Sequence, residues 1–155
     1  MELARNLKTD NVARLRPAPP VIVPTDCTIT DAVKLMRQKK IGWVLVCAGK
    51  RLAGIFTQRD LLTRVYAAGR SMSDPVREVM TPDPVTISPR DSVRRAILRM
   101  EKGRHGRLPV IDELGRPVGM LTEKRVMHYL TEHFASTVYN QPPDSLPFPQ
   151  HRGGA

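Results

Sequence analysis

Apolar positions along this chain follow two rhythms, and both occur twice in the same order. Short runs rich in β-branched residues at 21–23 and 85–87 predict strands. Each run is followed by apolar residues at i, i+3, i+4 and i+7, which predict a helix with one buried face. The apolar positions of these two helices are Ile29, Ala32, Val33 and Met36, and then Val93, Ala96, Ile97 and Met100.

A pair of strands joined by a tight turn follows each of these helices. The first pair is predicted over 43–47 and 52–56, and the second over 108–111 and 117–121, with a glycine in each turn. A last helix then follows each pair, over 58–66 and over 123–133. The apolar residues expected to face inward are Leu61, Leu62 and Val65 in one helix, and Val126, Met127 and Leu130 in the other.

The two halves are copies of one unit. Displacing the chain by about 64 positions superposes like residues, and one extra residue in the second turn continues the match. The matched pairs include Val12 with Val76, Met36 with Met100, Gly42 with Gly106, Gly54 with Gly119, and Thr57 with Thr122. One β-α-β-β-α unit leaves a sheet face uncovered, so two copies should pack against each other. The predicted fold class is therefore α/β (α+β), with two packed β-α-β-β-α repeats.

Punctuation by proline and glycine predicts the boundaries of these units. We expect an N-terminal extension over residues 1–11, a first repeat over 12–68 and a linker over 69–75. A second repeat is expected over 76–134, followed by a Pro/Gly-rich tail over 135–155.

The net charge of +10 changes this picture little. Such an excess attracts polyanions, but the basic residues are not gathered into one tract, and solvated helix faces account for them. Three Phe, three Tyr and one Trp offer few stacking surfaces. A nucleic-acid partner is therefore the least favoured of the functions considered.

Several classes of protein are disfavoured by what the sequence lacks. No apolar run is long enough for a membrane span, and the N-terminus has no signal-peptide core. Cys27 and Cys47 have no spacing typical of a metal site or a disulfide framework. A cytoplasmic protein without a membrane partner is expected. No nucleophile–base, phosphate-loop or metal motif is visible, which predicts that the chain is not an enzyme and binds no metal.

Four segments resemble a known family when taken in this duplicated order. They are Gly54–Asp60, Val79–Val85, Arg107–Asp112 and Gly119–Thr122. These segments look like the opening, central and closing strands of the cystathionine-β-synthase (CBS) domain, and their duplication resembles a tandem CBS domain pair, or Bateman module. The resemblance implies a pseudo-twofold disk with two clefts, commonly dimerised. It also implies adenosine-containing ligands such as AMP, ATP or S-adenosylmethionine, usually acting as regulators.

Gly54, Thr57 and Asp60 are the best candidate ligand-binding residues, at a strand end that runs into a helix. A helix start offers N–H groups and a positive dipole end to a phosphate. In the family, the Thr and Asp of this motif hold a ribose, which the resemblance carries to Thr57 and Asp60. The same residues also form an S/T-x-x-D helix cap that needs no ligand. Both interpretations stay open on the sequence.

The second copy differs at the matching position, where Arg125 stands in place of the acid. A guanidinium has no acceptor atoms, so it cannot accept hydrogen bonds from ribose hydroxyls. At most one nucleotide site of this type is expected per chain. Arg125 and Lys124 are candidates for contact with the phosphates of a ligand held at Asp60, or else belong to a solvated helix end.

The resemblance also nominates residues around the cleft. Arg107 matches a family position that can meet phosphate, and Arg104 and His105 precede it in the same turn. The alternative is a surface loop. Trp43, at the equivalent place in the first copy, is a candidate to stack on adenine or a core residue. Likeness to the family further implies that Ile22 and Val23 line the adenine pocket.

The favoured function is a stand-alone regulatory module that senses AMP, ADP, ATP or S-adenosylmethionine, requires no cofactor, and signals through an unknown effector protein. A homodimer is expected. The alternative is a ligand-free scaffold for dimerisation and partner docking. Retention of Asp60 favours the sensor, whereas the change at Arg125 favours the scaffold.

Overall fold

The larger sheet of the computed structural model, which describes residues 2–139, has four strands in the order β1-β2-β3-β4. Strand β1 (Ile22–Pro24) lies parallel to β2 (Trp43–Ala48), which is antiparallel to β3 (Arg51–Thr57). The fourth strand, β4 (Thr81–Pro82), is antiparallel to β3. Because β4 belongs to the opening of the second repeat, this sheet already joins the two copies.

The smaller sheet repeats the layout with fewer hydrogen bonds. Its two strands, β5 (Arg107–Ile111) and β6 (Pro117–Thr122), are antiparallel. An isolated parallel bridge between Ile87 and Val110 flanks β5, and an antiparallel bridge between Ala18 and Met120 flanks β6. These bridges correspond to the pairing of β1 with β2 and of β4 with β3 in the first copy.

The predicted strand at 85–87 is reduced to the single bridge at Ile87, which corrects that expectation. In the first copy, the Leu45 amide donates to the Val21 carbonyl at 2.8 Å. Its counterpart in the second copy is Pro109, which has no N–H to donate. The second copy therefore lacks the backbone hydrogen bond that would extend this strand pairing.

Helices cover the sheets, and all of them follow the predicted order except the first, which lies in the N-terminal extension where no helix was predicted. They are α1 (Glu2–Thr9), α2 (Ile29–Lys39), α3 (Gln58–Asp60, continued as wider π-type turns over Leu61–Tyr66), α4 (Val93–Gly103) and α5 (Glu123–Tyr139). Thr28 caps α2 and Ser92 caps α4, each through its side-chain oxygen. Short 3-10 turns at Val12–Leu15 and Val76–Glu78 open the two repeats.

Two predictions about the last helices are wrong. Leu62 and Met127, expected to face inward, are 64% and 56% exposed. Successive helical residues lie about 100° apart. The buried face of α5 includes Val126 and Tyr129, and Met127 lies to the exposed side of it. Helix α5 also extends to Tyr139, past the predicted end at 133, because no proline or glycine occurs before Pro142. The predicted tail from residue 140 onward lies outside the described residues.

Each repeat contributes its opening residues to the core of the other. Val12 and Leu15 are buried with residues of α4, β5, β6 and α5, whereas Val76 and Val79 are buried with residues of the first repeat. A third cluster joins the copies directly, and its members are Trp43, Leu45, Ile55 and Met120. Helix α1 of the N-terminal extension also packs on α4 and α5. No helix among residues 2–139 is both long and apolar enough to cross a membrane.

Glycine is needed where each opening segment crosses the closing strand of the other copy. A Cβ on Gly54 would lie 2.5 Å from the Met80 sulfur and 2.8 Å from the Thr81 carbonyl oxygen. A Cβ on Gly119 would lie 3.0 Å from Pro17 Cβ and 3.1 Å from the Ala18 carbonyl oxygen. The crossing in the first sheet is the tighter of the two.

The variant Gly54→Ala should therefore lose about 1–3 kcal/mol of unfolding free energy, since the added methyl group meets backbone that cannot move away cheaply. Gly106→Ala is the matched control, because its Cβ would meet nothing closer than 3.6 Å. Urea unfolding followed by circular dichroism measures both. Equal stability of the two variants would contradict the role given to Gly54.

Candidate functional site

Asp60 lies at the start of α3 and is only 6% exposed. Its Oδ2 atom accepts the Thr57 backbone N–H at 2.9 Å and the Thr57 hydroxyl at 3.1 Å. The Asp60 backbone N–H in turn donates to Thr57 Oγ1 at 3.3 Å. The predicted capping box is thus complete, and it fixes the end of β3 against the start of the helix.

The other carboxylate oxygen of Asp60 connects the two repeats. Its Oδ1 accepts the hydroxyl of Thr81, on β4, at 3.1 Å. Arg64 lies one helical turn on, with Nε 3.5 Å from the same oxygen, and its Nη1 donates to the Met80 carbonyl at 2.8 Å. Asp60 therefore links the first repeat's helix to the second repeat's opening segment.

The Asp60 carboxylate accepts hydrogen bonds from hydroxyl groups. The side chains of Thr57 and Thr81 each donate an O–H to it, one on each oxygen. A vicinal diol presents the same two donors, so such a ligand could bind Asp60 by replacing hydroxyls that are already bound there. Thr81 was not among the candidate site residues. Its position in the Met80-Thr81-Pro82 segment was the signal that could have identified it.

Gly54 lies next to this cluster and pairs with Pro82. Its place in the motif is explained by the close crossing of β4. Ile22 is 44% exposed on β1, the outer strand of the sheet. Val23 and Trp43 are 5% and 4% exposed, and each packs in a hydrophobic cluster. The structure thus places Trp43 in the core, the alternative to stacking on adenine.

Arg107 comes from the second repeat but reaches the start of α3. A Cβ built on Gly42 would lie 3.3 Å from Arg107 Nη2 and 2.9 Å from Gln58 Oε1. The side chains of Arg107 and Gln58 therefore both lie against Gly42. Gln58 follows Thr57 directly, and the Gln58 backbone N–H donates to the Gly42 carbonyl at 3.1 Å. The structure therefore places Arg107 beside the capping motif of the first repeat.

The remaining basic candidates lie elsewhere. Arg104 ends α4 in a left-handed conformation, and it borders a groove between α4 and α5 together with His105. Lys124 and Arg125 are exposed at the start of α5. Arg125 borders a cavity together with Asn11 and residues 13–16, none of which is a partner of Asp60. Neither Lys124 nor Arg125 is brought to Asp60.

Reactive groups are few in the part of the chain that the structure describes. Burial raises the pKa of the Cys27 and Cys47 thiols, with Asp31 and Asp26 adding to the effect at Cys27. Both thiols are therefore protonated and weakly nucleophilic near neutral pH. Among the described residues, no group of three or more His, Cys, Asp or Glu side chains is arranged to hold a metal ion.

Comparison with known proteins identifies both repeats. The family model described as the CBS domain matches residues 12–67 and again residues 76–132. An inosine-5′-monophosphate dehydrogenase of Korarchaeum cryptofilum is 31% identical over 116 residues, which are 75% of this chain and 23% of that protein. A mitochondrial CBS domain-containing protein of Arabidopsis thaliana is 39% identical over 104 residues, which are 63% of this chain and 50% of that protein. The chain thus spans half or less of these relatives.

Solved structures share the fold. A CBS domain protein of Pyrobaculum aerophilum, solved in complex with AMP, superposes with a TM-score of 0.70 and 22% identity. The match covers 79% of this chain and 98% of that one. At this identity the likeness concerns the arrangement of the two repeats.

Asp60→Ala should destabilise the protein by about 1–3 kcal/mol, because it leaves the Thr57 amide, the Thr81 hydroxyl and Arg64 without their shared acceptor. Arg125→Ala is the control at the equivalent position of the second repeat. Its side chain is exposed, so its effect should stay within about 0.5 kcal/mol. Denaturant unfolding of both variants measures the difference, and a neutral Asp60→Ala would show that the network contributes nothing to stability.

Proposed function

Because this chain belongs to the CBS domain family, we propose that it is a regulatory module that binds an adenosine-containing ligand at Asp60. The ligand class comprises AMP, ADP, ATP and S-adenosylmethionine. Binding would alter the contact of this chain with an effector protein. No catalytic step is part of the proposal, although relatives such as the Korarchaeum protein are named as enzymes.

The observation that carries the proposal is the pair of threonine hydroxyls on the Asp60 carboxylate. A ribose offers two neighbouring hydroxyls, and exchange for the hydroxyls of Thr57 and Thr81 keeps the number of hydrogen bonds to Asp60 unchanged. Exchange therefore avoids the cost of an unsatisfied buried carboxylate. Such a site can therefore work even though its carboxylate is fully hydrogen-bonded to the protein when no ligand is present.

Arg107 and the start of α3 support the placement of the phosphate. The guanidinium of Arg107 lies beside Gln58, in the first turn of α3. Arginine binds phosphate through two parallel N–H groups. Ile22 offers exposed apolar surface for the adenine. We therefore assign Gly54, Thr57, Asp60 and Arg107 to the site, with Thr81 added.

The same exchange provides a route to regulation. Thr81 belongs to β4, the segment by which the second repeat joins the first sheet. A ligand that replaces its hydroxyl weakens one link between the repeats, and it shifts the arrangement of the module only as far as it binds one arrangement more tightly. Leu62 and Met127, exposed apolar residues at equivalent positions of the two copies, support a homodimer as the form that transmits the change.

A ligand-free scaffold is the second candidate, and one observation favours it. Both oxygens of Asp60 are satisfied within the protein, so the fold does not need a ligand to complete this network. In that case the motif is a structural link between the repeats, and the function lies in docking to partners.

Thermal unfolding of the full chain with AMP, ADP, ATP and S-adenosylmethionine distinguishes these functions. A ligand present at about 100 times its dissociation constant adds roughly 2.7 kcal/mol of stability. For a chain of this size that corresponds to a rise in Tm of about 5–10 °C. We expect at least one member of the panel to produce this rise in the native protein and none in Asp60→Ala.

Asp91→Ala is the matched control, because Asp91 makes a comparable network in the second repeat with the Ser88 amide and Arg95. It should lower the starting Tm while keeping the ligand-induced rise. If no ligand shifts the native protein, the scaffold is supported and the sensor is not. An equal rise in Asp60→Ala would place the ligand elsewhere.

A further inference from the structure

A cavity of about 800 Å³ lies between residues 11–16 and helix α5. We name it the arginine cavity after Arg14, Arg16 and Arg125, which border it together with His128. Tyr129 and His133 form part of its wall and stack on each other, with ring centroids 3.9 Å apart. Its volume is within the range typical of small-molecule sites.

Two of these arginines have no acceptor for their guanidinium groups among the described residues: Arg16 and Arg125. Two arginines elsewhere in the second repeat are paired, in contrast. Arg95 lies 3.1 Å from Asp91, and Arg116 lies 2.7 Å from Asp112. The arginine cavity therefore presents N–H donors that no other group in residues 3–134 uses.

The acidic groups near the cavity are already engaged. Glu132 pairs with His128 at 3.1 Å. Asp10 accepts the hydroxyl of Tyr129 and lies 3.9 Å from Arg14 and 3.8 Å from His133. Burial, together with this bond to Asp10, raises the pKa of Tyr129, so its hydroxyl stays a neutral donor. Positive charge at the cavity thus exceeds the negative charge that could balance it.

The backbone beneath both unpaired arginines is anchored. Arg16 adopts a left-handed conformation with φ of 52°, and its N–H donates to the Ala13 carbonyl at 3.1 Å. It ends a turn whose Val12 and Leu15 are buried in the second core. Arg125 lies in the first turn of α5, with its N–H donating to Thr122 Oγ1 at 3.3 Å. The backbone positions from which both side chains extend are therefore fixed.

The first repeat provides an internal comparison. There the equivalents of Arg125, Arg16 and Tyr129 are Asp60, Met80 and Arg64. Arg64 pairs with Asp60 and donates to the Met80 carbonyl, so that corner satisfies its own charges. In the second repeat the acid has become a cation, and the side chain at the Arg64 position turns to Asp10 instead. The paired acid and cation of the first repeat are thus replaced in the second repeat by an unpaired cation, Arg125.

We propose that the arginine cavity binds a phosphate-bearing anion through Arg16 and Arg125, separately from the adenosyl site at Asp60. Guanidinium groups recognise phosphate through paired N–H donors, and desolvation in a concave site strengthens such bonds. The cavity is large enough for an anion bigger than inorganic phosphate, so pyrophosphate is the probe. This site is independent of the proposed function, because it shares no residue with the Asp60 network.

Isothermal titration calorimetry of pyrophosphate with the full chain tests the proposal. The salt concentration is about 150 mM, because this level screens scattered surface charges. The double variant Arg16→Gln/Arg125→Gln should bind at least about tenfold more weakly than the native protein. The charge-matched control is Arg77→Gln/Arg94→Gln, two exposed arginines whose side chains have no partner among the described residues. It should retain native affinity within about twofold, and circular dichroism confirms that each variant is folded.

Four results would overturn the proposal. Native affinity in Arg16→Gln/Arg125→Gln, or no binding to the native protein, would show that the cavity is not an anion site. Equal losses in both double variants would indicate diffuse attraction by the net charge of +10. Loss of pyrophosphate binding in Asp60→Ala alone would place the phosphate in the adenosyl site, leaving the proposed function intact while refuting this one.

Discussion

The close crossing of each opening segment over a glycine of the other repeat is the constraint on which this structure depends. At Gly54, a Cβ would lie 2.5 Å from the Met80 sulfur and 2.8 Å from the Thr81 carbonyl oxygen, both closer than an undisturbed contact allows. The crossing places Val76 and Val79 in the first core and Val12 and Leu15 in the second. Since each core is completed by residues of the other copy, the two repeats are expected to be stable together, and any ligand at the crossing acts on both.

Under the proposed function, Asp60 serves both stability and recognition. Its carboxylate caps α3 and also holds Thr81 of the crossing segment, so the hydrogen bonds that stabilise the fold are those a ribose would compete for. A protein with such a site is stable without its ligand, because no buried charge is left unpaired in the ligand-free state. It also couples binding to the link between the repeats without any additional moving part.

Much of this was predictable from hydrophobic periodicity and internal repetition. The order of elements, the duplication and the Thr57–Asp60 cap followed from local patterns. The lost strand at 85–87 did not, because it depends on Pro109 in a neighbouring strand. The exposure of Leu62 and Met127 depends on which single face each helix buries. The role of Thr81 escaped the sequence because its partner, Asp60, lies in the other repeat. The role of Arg16 escaped it because the cavity that Arg16 borders is completed by α5, far along the chain.

The central claim is that a ribose replaces the Thr57 and Thr81 hydroxyls on the Asp60 carboxylate. A crystal structure of the full chain grown with AMP tests it most directly. The account predicts ribose hydroxyl oxygens at hydrogen-bond distance, about 3 Å, from the Asp60 oxygens, with the Thr81 hydroxyl moved out of contact. Nucleotide bound elsewhere, with the Thr81–Asp60 bond of 3.1 Å intact, would contradict it.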